Sequence, residues 1–171
     1  MLQRDRIWVA RGCFGTWLKS MKNRHLAAVA ISGSTVALVG IFAPWATWER
    51  SWLGGYFSGD ISAWELMLDS RPIISTYHAF YWVALVGALM CFVAGMSAVA
   101  SPRARVLWAS VILGAIAVIL GSLWGFFIVE VESVVPHYAD YGYGLFLTFA
   151  GGTTSLVAGA LGRRRLPVSS L

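Results

Sequence analysis

The chain has 171 residues, of which 58% are hydrophobic and only 12% charged. A water-soluble domain carries about 25% charged residues, so much of this surface is expected to face lipid rather than water. The net charge of +5 does not point to nucleic acid, because the basic residues gather at helix ends instead of forming a stripe interleaved with aromatics.

Residues 1–25 read as a cytoplasmic amphipathic arm. Ile7, Ala10, Phe14, Trp17 and Met21 recur at helical spacing, while Arg4, Arg11, Lys19 and Lys22 gather on the opposite face. That separation predicts a helix lying in the headgroup plane, weakened by about 1 kcal/mol each at Gly12 and Gly15. The apolar run that follows Arg24 is too long for a signal peptide, so the arm is expected to be retained.

Four stretches then meet the length of about 20 apolar residues needed to cross a hydrocarbon core: 26–48, 77–100, 106–129 and 143–162. None contains Asp, Glu, Lys or Arg. Their unbroken apolarity excludes barrel strands, which alternate over about ten residues. The predicted fold class is therefore all-α: an integral membrane four-helix bundle over 26–162, with the N-terminal interfacial helix and a short helix in the first outer segment.

Within that segment, Trp52 to Gly59 holds three glycines and reads as a loop. Ser62 with Glu65 three residues on has the spacing of a capping box, and Arg71-Pro72 ends the short helix. Trp45, Trp48 and Trp52 on one side, and Tyr77, Tyr81 and Trp82 on the other, are expected to form an interfacial aromatic belt. Arg103 and Arg105 mark a tight basic turn, and Arg163, Arg164 and Arg165 open a basic cytoplasmic tail over 163–171.

The flanks set the orientation. All basic residues except Arg50 and Arg71 lie in the arm, the tight turn or the tail, whereas Glu49, Asp60, Glu65, Asp69, Glu130, Glu132 and Asp140 lie in the two opposite segments. Lys and Arg in short loops are retained on the cytoplasmic side, which predicts a multi-pass plasma-membrane protein with both termini inside.

Small residues recur every four positions within the spans: Gly87, Cys91 and Gly95; Gly121 and Gly125; Gly151, Ser155 and Gly159. Such stripes let helix backbones approach closely in lipid. They can pack the bundle internally or face a partner subunit, and Gly151, Ser155 and Gly159 are the residues expected to form a partner interface. No charged residue lies inside a span, which argues against an ion path or proton relay acting alone. His78 and His137 beside the outer acids offer metal-compatible ligand types but no ligating spacing, and interfacial hydrogen-bonded histidines are the simpler reading. No G-x-S-x-G elbow, Walker loop or dinucleotide fingerprint is present. No cofactor, metal or enzymatic activity is expected.

A first helix ending in Pro44-Trp45, an outer segment with Ser58-Gly59 and Trp64-Glu65, a tight basic hairpin, and Tyr141-Gly142-Tyr143-Gly144 leading into Gly151-Gly152 together resemble small four-helix membrane proteins of actinobacteria. The resemblance implies an accessory or stabilising subunit of a larger cell-envelope complex, most specifically an Mce-type lipid importer, with a respiratory supercomplex as another host. Claudins share four helices and a tryptophan-bearing first outer segment, but their paired cysteines are missing here. The expected partners are membrane lipids and a larger integral membrane complex; a stand-alone lipid-binding or sensing protein is the alternative.

Overall fold

The computed structural model describes residues 23–52, 55–68, 78–102, 104–133 and 138–164. Four helices are long and apolar enough to cross a membrane, so the chain is a multi-pass membrane protein: α1 (Asn23–Phe42), α3, α4 and α5. The last three run over His78–Ala100, Arg105–Ser133 and Tyr143–Arg164. A short helix, α2, spans Ala63–Leu68.

The first span stops earlier than its hydropathy implies. After Phe42 the chain turns into strand β1 (Pro44–Trp52), which pairs antiparallel with β2 (Gly55–Ser62) and with β3 (Tyr138–Tyr141), giving the order β2-β1-β3. The bundle therefore carries a small sheet at one end, and Trp52 and Gly55–Gly59 lie in its strands rather than in an irregular loop. The β1–β2 ladder runs out to the pairing of Trp52 with Gly55. Pro44, which lacks an N–H, sits at the start of β1, where the register shifts between Pro44 and Ala46. Gly142 N–H donates to Trp45 O at 2.8 Å, locking the entry of α5 onto the exit of α1.

Around the bundle the helices follow the order α1, α3, α4, α5 and back to α1, and glycines set each close approach. A Cβ on Gly33 would lie 2.8 Å from Gly151 O, and one on Gly144 would lie 2.6 Å from Gly40 O. Across the opposite seam, a Cβ on Gly87 would lie 2.7 Å from Gly114 O, and one on Gly114 would lie 2.6 Å from Gly87 O. These are backbone-to-backbone contacts that no side chain fits between.

A buried tryptophan closes each end. Trp45 turns back into the bundle at the sheet end, where its Nε1 donates to Gly40 O at 2.8 Å and its ring meets Tyr81 edge-on at 5.5 Å. It joins Ile41, Tyr81, Leu85, Val118 and Leu145 in the main apolar cluster. Trp108 is fully buried at the other end, beneath Gly162 and against Ala27 and Ala98. Its Nε1 donates to Pro102 O at 3.0 Å, in the turn that joins α3 to α4. Trp45 and Tyr81 are thus core residues, not members of an interfacial belt; a buried indole needs a partner for its N–H, and a helix or turn carbonyl supplies one in both cases. Between the plugs the core narrows to Ala30, Ala94, Val111 and Ala158.

Candidate partner-facing surface

Gly151, Ser155 and Gly159 lie inside the bundle. Ser155 Oγ donates to Ala30 O at 3.1 Å, across the α1–α5 seam. A Cβ on Gly151 would meet the Gly33 carbonyl and the Ala37 backbone, and one on Gly159 would sit 3.0 Å from both Ile112 Cγ1 and Val111 Cγ1. All three residues are buried by α1 and α4 of the same chain, so this fold uses the stripe for internal packing. The close approach that small residues permit is used up within the molecule.

The arm residues Arg4, Arg11, Phe14, Trp17, Lys19 and Lys22 lie outside the described residues, as does His137. His78 opens α3 at the sheet end, whereas exposed His25 lies near the start of α1 at the opposite end. Among the described residues no three His, Cys, Asp or Glu side chains come together as a metal site. Cys91 is buried, with Sγ donating to Val111 O at 3.1 Å, and serves the α3–α4 contact.

The lipid-facing surface is uneven. Around the midpoints of α3 and α4 it is built from large aliphatics, with Val86, Leu89, Val93, Leu113, Ile116 and Leu120 all exposed, and the exposed Ser97 lies near the end of α3. On α1 and α5 the exposed positions include Ala28, Ser32 and Thr35, and Ala150, Thr153 and Thr154. Ser32 lies near the midpoint of Asn23–Phe42, and Thr153 and Thr154 near that of Tyr143–Arg164. The Ser155–Ala30 bond and the Gly33–Gly151 contact put these residues of the two neighbouring helices at the same depth. Hydroxyls are therefore displayed near mid-membrane on the outside of one helix pair.

Local hydrogen bonds make that display tolerable. Thr35 Oγ1 donates to Ile31 O, Thr153 Oγ1 to Phe149 O and Thr154 Oγ1 to Ala150 O, each at 2.9 Å. These three threonine donors are satisfied by the preceding helical turn, yet their hydroxyl oxygens keep acceptor capacity toward an incoming group. The composition follows suit: the α5 span has a mean hydropathy of 1.4 against 2.5 for the α4 span, the least apolar against the most apolar of the four. Sequence reasoning passed over Thr153 and Thr154 because it followed the glycines.

Two further surfaces complete the picture. A groove of about 400 Å3 runs along the outside of the α3–α4 seam, lined by Trp82, Val86, Gly87, Met90, Leu113 and Ala117 among others. It lies within the membrane spans, where its apolar walls suit a hydrocarbon chain. At the end bearing the α3–α4 turn, Arg24, Arg105, Arg163 and Arg164 are exposed, whereas exposed Asp60, Glu65 and Asp140 belong to the sheet end. Comparison of the sequence with known protein families and with curated proteins finds no match.

Proposed function

We infer that this chain is a non-enzymatic accessory or stabilising subunit of a larger cell-envelope membrane complex. The reading rests on one observation: Ser32, Thr35, Thr153 and Thr154 are exposed near mid-membrane on neighbouring helices, beside Val29, Val36 and Val157, whereas at that depth α3 and α4 expose Val86, Leu89, Val93, Leu113, Ile116 and Leu120. Lipid tails offer such hydroxyls nothing, whereas a partner helix with small or polar residues can pack closely on them and hydrogen-bond, at about 0.6 kcal/mol per bond. The partner face proposed is therefore the outward side of α1 and α5. The division of charge between the two ends supports an orientation with the α3–α4 turn, both termini and the arginines in the cytoplasm of a plasma-membrane protein. An Mce-type lipid importer is the host the sequence resemblance favours, with a respiratory supercomplex next.

Site-specific photocrosslinking tests this reading in native membranes. A crosslinker at Thr153 or Ser32 should give discrete protein adducts, whereas one at Leu89 or Leu120 should label lipid alone. Adducts distributed equally over the four positions, or absent from all of them, would refute the partner face. The α3–α4 groove favours a second reading, a stand-alone lipid-binding or sensing protein. Lipid adducts at Val86 and Leu113 with no protein adduct anywhere would select it.

A further inference from the structure

A serine or threonine on a helix in hydrocarbon has no water to bond, so it ordinarily turns its hydroxyl back onto the carbonyl four residues earlier. Exposed Thr35, Ser97, Thr153 and Thr154 do so, donating to Ile31 O, Val93 O, Phe149 O and Ala150 O, each at 2.9 Å. Ser34, Ser110, Ser122 and Thr148 are also bonded within their own helices, and Ser155 reaches across to Ala30 O at 3.1 Å. Ser32 is the exception: among the described residues it is the one serine or threonine of the four spans that makes no hydrogen bond, and it stands exposed near the midpoint of Asn23–Phe42. Both halves of the missing bond are displayed together. Ala28 lies one turn before Ser32 on the same face, is itself exposed, and among the described residues its carbonyl receives no side-chain donor. Between Ala28 and Val39 the exposed positions of α1 are Ala28, Val29, Ser32, Thr35, Val36 and Val39, none bulkier than valine, so another helix can come close.

We propose that Ser32 and Ala28 pair α1 with α1 of a second copy of this chain, each Ser32 Oγ–H donating to the Ala28 carbonyl of the other copy. Copies inserted in the same sense are related by a twofold axis along the membrane normal, which sets identical residues at identical depth on parallel helices. A helical side chain leans toward the N-terminus while the carbonyls point toward the C-terminus, so a donor and an acceptor one turn apart close on one level. The occupant is a second copy because the face is self-complementary: it carries a donor without an acceptor and an acceptor without a donor, and the twofold operation supplies each with the other. Lipid tails supply neither, and an unpaired hydroxyl in hydrocarbon is costly. The chain uses the same bond internally, where Ser155 passes over Gly151 O, four residues back, and donates to Ala30 O of α1. The inference goes beyond the reading above and divides its face: Thr153 and Thr154, whose donors are satisfied, remain for the host.

The test is fluorescence energy transfer between full chains carrying a donor or an acceptor dye at the C-terminus, reconstituted in phosphatidylcholine vesicles and diluted with lipid. The wild type should show transfer that falls on dilution and is competed away by unlabelled chain. Ser32→Ala removes both reciprocal donors and should raise the dissociation constant about eightfold. Ala28→Leu should abolish transfer by holding the helices apart, whereas Thr153→Ala and Ala150→Leu, on the outward side of α5, should leave the constant within about twofold. Ser32→Ala decides the matter if Ala28→Leu does not insert. Absence of transfer in the wild type at the highest chain density would overturn the proposal, as would an unchanged constant in Ser32→Ala or an equal loss from Ala150→Leu. Crosslinks from Thr153 to a host protein report on the reading above and are unaffected by any of these outcomes.

Discussion

The close contact between α1 and α5 can be tested with a single methyl group. In Gly151→Ala the new Cβ would fall 2.5 Å from Ala37 N and nearer still to the Gly33 carbonyl. Ordinary contact begins at 3.4 Å, and both obstacles are backbone, so the helices have to part by about 1 Å along a seam that also holds the Ser155–Ala30 bond. Overpacking of this kind costs about 1–3 kcal/mol, opposed by about 1 kcal/mol of gained helix propensity. Gly95→Ala is the matched control, because its Cβ would meet the Ile31 Cγ1 side-chain atom at 2.9 Å while the nearest backbone atom stays at 3.5 Å. Ile31 can move away, so that variant gains propensity with little strain. Reversible unfolding in mixed micelles should therefore rank Gly151→Ala below Gly95→Ala by about 1–3 kcal/mol. Equal stabilities, or the opposite order, would show that the seam is looser than described and would remove the reason for assigning this stripe to internal packing.

Trp108→Phe deletes the buried donor to Pro102 O while keeping most of the ring. It should lower stability by about 1–3 kcal/mol, read by the same unfolding assay. Glu65 has its carboxyl held below the ordinary value of 4.5, first by the Ser62 backbone N–H and then by the Ser62 hydroxyl. A depressed folded-state value means that the capping contribution is fully present above pH 4.5 and is lost as pH falls through the lowered value. Ser62→Ala should raise the Glu65 carboxyl only part of the way, since the backbone donor remains, and a side-chain NMR titration would show it. Cysteines placed at Asp60 and Asp140 should react with an impermeant thiol reagent from outside intact cells, and one at Arg164 should not. Outside labelling at Arg164 would reverse the orientation.

Span length and the absence of charge made the four helices legible, because crossing the hydrocarbon requires both. The Ser62–Glu65 pair was legible too: Ser62 N–H donates to Glu65 Oε2 at 2.7 Å and Glu65 N–H to Ser62 Oγ at 3.2 Å, the reciprocal bonds that their spacing encodes. The sheet was not. Apolar composition ran the first span through Ala43, Pro44 and Trp45, although Pro44 begins a strand, and β1 acquires its second partner, β3, through the pairing of Ala46–Glu49 with Tyr138–Tyr141. No local periodicity reveals such a distant pairing. The glycines of Trp52–Gly59 were counted as loop formers, whereas Gly55 and Gly59 lie in β2 opposite Trp52 and Trp48. The small-residue stripe of α5 was found, but its composition is the same whether the neighbour is α1 of this chain or a helix of another. Only the fold separates those cases, and it turns attention to Thr153 and Thr154 on the other side of the helix.

The seam between the first and last spans also bears on how the molecule is made. Ser155 reaches a carbonyl 125 residues earlier in the chain, and β1 waits for β3 at the same boundary. As translation proceeds, α1 enters the bilayer long before its permanent neighbour exists, with Gly33 and Gly40 bare along one side. Contacts of such separation form late, since the intervening chain must be ordered first. During that interval the nascent α1 is a helix with an open backbone face in lipid, suited to transient chaperoning by the insertion machinery. Chains arrested before Gly151 should be the form most prone to pair with the wrong helix.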